Sequence, residues 1–533
     1  MKKIQFVLLT AGLVALAVAC EKQPAASEPE AGERVTTISA SIEGAGTKVA
    51  IADADGKFSW SAGDKIAVWG TGRGYVMSDA LTASGTSADF AFTDYTLYDE
   101  ERANYAVYPV EIKDDGYYTA SDLRIKMPSG YKITDLDDTE YAPVPMIAVN
   151  TAEAGLSFKH LGALIRVTVK DVPPTTNSLW VTFEKKVTGS FAVNLTDPAN
   201  PYIETADGNL SNTVITFDLP SPLTTMSDVV LNIPVPTGNV GAFYVEAYDG
   251  GDLLMRTRQT SGVTMARKQG RKAMASLPTF SVSTTAKVVF APGNLQAVTL
   301  NNGADWYWEF AHSQYAFVGG GGYGNETING NGTLSSTSGT VDLFGWSTAD
   351  TYFGIHQSTD SINDYEGDFV DWGANQIGPY AANTWRSLST SDWNHLLDNR
   401  SASKVGETDN ARYVKAKVVD KAGIILFPDQ YTHPSGVGLP AGINDPTSPF
   451  NATQYSSEYW EKMELAGCVF LPAAGYRYAT TLTNVGSQGE YWTANSDGKK
   501  NAYRVSITDG GFGYSSNIRA EGRSVRLART VTY

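Results

Sequence analysis

Cysteine is nearly absent: the 533 residues hold two, Cys20 and Cys468. No disulfide framework can staple such a chain, so its stability must come from buried apolar surface. Cys468 stands in the apolar run Cys468–Leu471 and reads as a small buried hydrophobe, with a reactive thiol as the alternative. Histidine is almost as scarce. His160, His312, His356, His395 and His433 are scattered without ligand spacing, so we expect no metal and no other cofactor. Lysine and arginine together number 41 against 57 acidic residues, a net charge of −16. A surface of that sign repels phosphate backbones and argues against nucleic acid as a partner. The one basic run, Arg267–Lys272, then reads as a solvated turn in preference to a nucleic-acid patch. Beyond the first twenty residues no apolar run approaches the ~20 residues that cross a bilayer. Long amphipathic helical patterns are scarce as well, and no Gly-x-Ser-x-Gly, His-Glu-x-x-His or phosphate-loop motif occurs.

What is present is glycine (51 residues), aromatics (11%) and many short alternating segments. That composition predicts β-rich domains with frequent turns, and the length predicts two to four of them. The first residues carry an address. Lys2 and Lys3 precede the apolar stretch Ile4–Val18, and small residues lead to Cys20. This is the layout of a signal peptide (1–19). Ala17-Val-Ala-Cys20 resembles a bacterial lipobox, which implies a lipid on Cys20; ordinary cleavage beside an incidental cysteine is the alternative. Residues 20–34 hold no apolar residue larger than alanine after Cys20 and read as a flexible tether. The lipid would be the only membrane attachment, and the expected location is the outer membrane or cell surface.

From Val35 the strand period takes over. In Val35–Ile42 the residues Thr36, Ile38, Ala40 and Ile42 share the apolar face. Phe58–Trp60, Lys65–Trp69, Tyr105–Tyr108 and Pro145–Val149 continue this pattern in a first domain, 35–155. A second domain, 156–283, opens at Leu156 and includes Leu179–Phe183, Val214–Phe217, Val229–Val235 and Ala242–Ala247. Its prolines cluster at strand ends, where a missing amide donor is tolerated. A third domain, 284–533, holds most of the eleven tryptophans, among them Trp306, Trp308, Trp346, Trp372, Trp385 and Trp393. Ser391–Asp398 predicts a helix capped by Ser391 or Thr390, Tyr459–Leu465 a second, and Lys415–Val419 with Gly423–Phe427 two strands. Few helices and many loops predict a compact α+β unit.

Two resemblances attach to these segments. Thr47–Val49, Phe58–Trp60, Gly63–Val68 and Phe158–Leu164 resemble the fimbrillin family of Bacteroidetes lipoproteins. That family implies two tandem transthyretin-like β-sandwiches over Val35–Leu277. It also implies export as a lipoprotein, removal of the first strand by an Arg/Lys-specific protease, and donor-strand addition from the neighbouring fimbrial subunit. Arg34 is then the candidate cleavage point and Lys48 its alternative. Pro292–Leu295, Trp385–Leu388, Gly423–Pro428, Phe470–Arg477, Gly489–Trp492 and Ser524–Leu527 resemble proteins with a C-type-lectin-like fold. These include formylglycine-generating enzymes and the variable proteins diversified by retroelements. The enzymes use a cysteine pair near the C-terminus, and this region offers only Cys468, so the expectation is a binding protein and not an enzyme. The acidic stretch Asp360–Asp368 with Asp371 could supply oxygen ligands, but its spacing fits no calcium loop, and a solvated acidic loop is the preferred reading.

The expected fold class is therefore mainly β plus α+β: two fimbrillin-type sandwiches followed by a C-type-lectin-like domain. In the variable proteins the ligand site lies on exposed side chains between framework strands, which here corresponds to Tyr478–Glu521. The candidate ligand-binding residues are Tyr478, Thr480, Gln488, Glu490, Thr493, Asn495, Lys499, Arg504, Ser506, Thr508, Phe512 and Tyr514. Alternation in Ala502–Thr508 predicts Tyr503, Val505 and Ile507 inward and Arg504, Ser506 and Thr508 outward. Phe512 and Tyr514, in a glycine-rich stretch, are expected to be displayed. The expected role is a fimbrial tip adhesin for an unidentified protein or glycan. A non-polymerising surface receptor is the alternative, and a formylglycine-generating type of enzyme the least favoured.

Overall fold

The structure, a computed structural model, describes residues 34–532 except 36, 44–58, 70–74, 93–96, 99–104, 114–122, 137–143, 150–154, 299–304, 319–338, 349–366, 479–480 and 499. Cys20, Lys48, Thr480, Lys499 and the acidic stretch up to Glu366 lie outside the described residues. Among the described residues no helix is long and apolar enough to cross a membrane.

Alternating apolar residues build a first, seven-stranded sheet. Its order is Tyr75–Met77, Ala67–Trp69, Tyr105–Tyr108, Met146–Val149, Leu156–His160, Thr37–Ile42 and Ser87–Ala91. Ile38, Ala40 and Ile42 point into the core while Thr37, Ser39 and Ser41 stay exposed, as the period requires. Trp60 sits at the centre of that core, edge-on to Phe90, Tyr108 and Phe158 at 5.0–5.2 Å. The opposite face, with Trp69, Val107 and Ile147, packs on Ile125, Met127 and Phe191. Central strands are thus buried on both sides, which explains their continuous apolar runs.

The boundary expected before Leu156 is corrected. Leu156–His160 pairs with Met146–Val149 and, in parallel, with Thr37–Ile42, so it completes the first sheet. His160 belongs there too, buried, and not to the second sandwich. Conversely, Gly130–Lys132 joins the second domain beside Val214–Asp218. Strand period assigns a face but never a partner, which is why sequence alone misplaced this division. The second sandwich lays a three-stranded sheet (Ser227–Val235, Ala163–Val172, Gly270–Ala275) on a five-stranded one around a core of Val, Ile, Leu and Phe. The expected basic turn is present at Arg267–Lys268, but it is half-buried where free solvation was expected, and the end of the run departs from it. Gly270–Ala275 is a strand, and Arg267 and Lys268 both ion-pair with the buried Glu43 of the first domain.

In the third domain Phe280–Ser281 already pairs with Lys287–Phe290, so this unit begins before residue 284. Lys287–Phe290 in turn pairs antiparallel with Ala528–Val531, bringing the two ends of the domain together. A four-stranded sheet (Gln454–Tyr455, Tyr413–Val418, Lys421–Leu426, Val469–Pro472) forms its centre. Helix α1, Thr390–Asn394, is capped by Ser389 and not by Ser391 or Thr390. Ser389 and Asp392 form a reciprocal capping box, and a π-turn over His395–Asn399 continues the helix. Helix α2, Ser457–Leu465, is capped by Ser456. Asp371, weighed above as an oxygen ligand, is spent on the backbone amides of Gly373 and Ser387. Strands dominate throughout and helices are few and short, so the fold is β-rich as expected.

Candidate binding face

Three antiparallel strands, Gln488–Ser496, Asn501–Thr508 and Gly511–Ile518, close the third domain. Their register puts Glu490 opposite Ser506, Trp492 opposite Arg504, Val505 opposite Tyr514 and Ile507 opposite Phe512. One face therefore carries Tyr491, Val505, Ile507, Phe512 and Tyr514, all packed on the domain core. The other carries Gln488, Glu490, Trp492, Arg504, Ser506, Thr508, Gly513 and Ser515. A short hairpin, Tyr476–Tyr478 with Thr481–Thr483, flanks this polar face.

Val505 and Ile507 point inward as alternation demands, whereas Tyr503 is only half-buried. Phe512 and Tyr514, expected on display, require correction. Phe512 meets the Tyr413 ring edge-on at 5.3 Å, and the Tyr514 hydroxyl donates to the Trp393 carbonyl at 3.2 Å. Burial, reinforced by Asp398 at 3.2 Å, pushes the Tyr514 phenol far above its ordinary pKa. Glu490 and Thr493 are also fully buried and display nothing. The Thr493 hydroxyl lies 3.0 Å from that of Thr390, and the Asn495 side chain accepts from the Thr390 amide at 2.8 Å, so this pair fastens α1 to the sheet. Asn495 itself is exposed. Thr508 donates to the Gly511 carbonyl at 3.1 Å and closes its own hairpin.

The candidates brought together on the outer face are Gln488, Arg504 and Ser506, with Thr508 behind them and Tyr478, 50% exposed, on the flanking hairpin. Beneath them lies a group that alternation did not reveal. Glu490 accepts from Gln488 through one oxygen; through the other it meets Arg523 at 3.0 Å and Arg504 at 2.7 Å. Glu521 accepts from Arg523 and from Asn517. Arg477, wholly buried nearby, has its pKa lowered to about 10 by loss of solvent, with Glu521 opposing the shift. Burial lowers that of Arg504 also, and Glu490 holds it up. Among the described residues three arginines thus stand with two carboxylates. The signal for this cluster was the arginine content of the framework segments themselves, Arg477 and Gly522–Arg529.

The far end of the face is roofed. The Trp492 indole donates to the Phe344 carbonyl at 2.8 Å, and the Trp346 indole to the Thr493 carbonyl at 2.8 Å. Arg519 stacks on Trp346 at 4.3 Å. Among the described residues the Gln488–Ser506 end, with Ser515 beside it, is partly open to solvent, a polar surface above a charged floor. Among the described residues no cluster of potential metal ligands occurs.

A family model for a domain of unknown function (DUF8237) matches residues 455–528, which span α2, the flanking hairpin and the three closing strands. No curated protein matches the chain. Among solved structures, a candidate cell adhesion protein from Bacteroides ovatus is similar at 13% identity and a TM-score of 0.30, covering 46% of this chain and 92% of its own. Another candidate cell adhesion protein, from Bacteroides uniformis, is 13% identical with a TM-score of 0.24, over 45% and 90%. A fimbrial protein from Bacteroides ovatus is 8% identical with a TM-score of 0.19, over 93% and 99%. Likenesses this low transfer neither fold nor function to this chain.

Proposed function

We propose that the protein is a non-enzymatic adhesin of the cell surface whose third domain binds a protein or glycan through the outer face of its closing sheet. The observation that carries this reading is the division of labour within three strands. One face is spent on the core, and the other presents Gln488, Ser506 and Thr508 beside an exposed Tyr478. Tyrosine and small polar side chains on a rigid scaffold suit adaptable recognition. The paired ends of the domain let it stand at the tip of a preceding β-stalk. The resemblance of Phe470–Arg477 and Ser524–Leu527 to C-type-lectin-like proteins, including retroelement-diversified ones, supports the same use of this segment.

The fimbrial part of the reading rests on the motifs shared with fimbrillins and on the two stacked β-domains. Lipidation at Cys20 would deliver the precursor to the outer membrane. Arg34 lies in a two-residue pairing with Tyr98, and cutting there would leave Thr37–Ile42 inside its sheet. A cut at Lys48 would release that strand, which lies between Leu156–His160 and Ser87–Ala91, and so open a groove for a donated one. Lys48 therefore becomes the better maturation site. If neither bond is cut, the non-polymerising receptor is favoured. N-terminal sequencing of surface protein decides: a mature start at Val49 supports assembly, and a start at Cys20 alone contradicts it. For the binding face, the full chain is applied to an array of immobilised glycans and matrix proteins beside Ser506→Trp and the remote control Trp180→Ala. Binding lost only in Ser506→Trp supports the face, and binding equal in all three rejects it.

A further inference from the structure

The arginine cluster says what kind of group this face receives. A guanidinium taken out of water costs free energy unless each nitrogen finds an acceptor and the charge finds an opposite. Here Arg477, Arg504 and Arg523 share two carboxylates, Glu490 and Glu521. Both carboxylates are already committed to several donors. Arg523, 1% exposed, keeps one buried terminal nitrogen without a hydrogen-bond partner, and so does Arg504. The Arg504 Nε lies within ion-pair distance of Glu490 but is not aligned to hydrogen-bond it.

The three arginines differ in how their surplus is met. The rings of Trp492 and Tyr476 flank Arg523 at 4.6 and 5.4 Å and take up part of its charge. Arg477 is sealed in the interior. Arg504 has no ring stacked on it among the described residues, and it alone reaches the rim, with its side chain 15% exposed. Next to it stand the Gln488 amide and the Ser506 hydroxyl, joined at 2.9 Å. Among the described residues the cluster thus holds more arginines than carboxylates, in a chain of net charge −16.

We propose that the outer face captures its ligand by a compact oxyanion, a carboxylate or a sulfate ester on a sugar, which Arg504 engages at the rim while the Ser506 hydroxyl, held in place by the Gln488 amide, donates to it. The inference rests on the binding-face reading above and narrows it. With Nε and one terminal nitrogen of Arg504 buried, the other terminal nitrogen is left to meet such an anion, and a charge-assisted pair in a partly dry site is among the stronger polar contacts available.

The test uses the full chain and one sugar in three forms: glucose, glucuronate and glucose 6-sulfate, at constant ionic strength, read by thermal unfolding and isothermal titration. The expected result is a saturable rise in unfolding temperature with glucuronate, glucose 6-sulfate or both, and none with glucose. The responding anion identifies the source. Arg504→Gln should weaken it by about tenfold or more, and Arg504→Lys should restore part of the loss. Gln488→Ala, which keeps every arginine, should weaken it less and guards against a folding defect in the arginine variants. A response to glucose equal to that of the anions, an undiminished response in Arg504→Gln, or no saturable response at all overturns the inference. The array comparison of Ser506→Trp separates the two readings. If that variant loses array binding while no anion responds, the anion inference fails and the face stands; if it keeps array binding, both fall.

Discussion

Residues on the closing sheet are chosen by two demands that pull apart. Phe512 and Tyr514 fill the core side, and Glu490 and Arg523 neutralise each other beneath the polar side. Phe512→Ala should destabilise the protein by about 2 kcal/mol, since a half-buried ring and its edge contact with Tyr413 are lost. Tyr514→Phe removes only the hydroxyl bonds and should cost about 1 kcal/mol. Urea unfolding checks both, and an unaffected Phe512→Ala would mean that the ring is displayed. Glu490→Gln should be costlier, by about 3–5 kcal/mol, because it strips a carboxylate from buried arginines. Alternation alone assigned Val505 and Ile507 correctly. It failed at Phe512 and Tyr514 because Gly511 and Gly513 look like a loop. In fact they lie in the strand opposite Thr508 and Ser506, where the missing side chains leave the outer face open.

At the scale of elements, local chemistry was more legible than partnership. Helix α2 overlaps the expected Tyr459–Leu465 but starts two residues earlier, at Ser457, and the central hairpin overlaps both expected strands with ends shifted by one or two residues. Helix α1 shifted its cap because Ser389 finds a reciprocal partner in Asp392, three residues on, which neither Thr390 nor Ser391 does. Ser389→Ala should therefore cost about 1 kcal/mol in denaturant unfolding, and Ser391→Ala much less. The flanking hairpin depends on Gly475, held at φ +72°, where a Cβ would lie 2.3 Å from the Thr483 carbonyl. Gly475→Ala should disturb the hairpin and the placement of Tyr478 while leaving the first two domains folded. Limited proteolysis would report new cleavage confined to 476–483. Which sheet a strand joins was not readable, as Leu156–His160 and Gly130–Lys132 illustrate.

Across the whole molecule, ion pairs bind the domains at several joints. Glu43 meets Arg267 and Lys268 between the first and second domains, and Asp171 meets Arg529 at 3.2 Å between the second and third. Burial pushes the His160 imidazole down to about 4, with Glu43 opposing. Glu43 is raised by its own burial, but its bonds to Lys268, the His160 amide and Arg267 outweigh this and leave it lowered. A base with a depressed folded pKa contributes stability that is full above its unfolded value, ~6.5, and lost as pH falls toward the folded one. The lowered carboxylate adds a further loss below its own unfolded value. Stability should thus decline from pH ~6.5 down through 4 and beyond, and His160→Leu should remove the upper part of that decline. Urea midpoints at pH 7, 5.5 and 4 provide the measurement; an unchanged profile in the variant would contradict it. A modular β-rich chain of acidic surface was legible from composition, whereas these long-range pairings were not, because residues more than 200 positions apart leave no periodic trace.

The most direct test of the whole reading is binding of the full chain to immobilised glycans and matrix proteins, compared with Ser506→Trp and Trp180→Ala. An outer face that serves as the adhesive surface predicts binding by the wild type and Trp180→Ala and its loss in a folded Ser506→Trp. Undiminished binding by Ser506→Trp would contradict it.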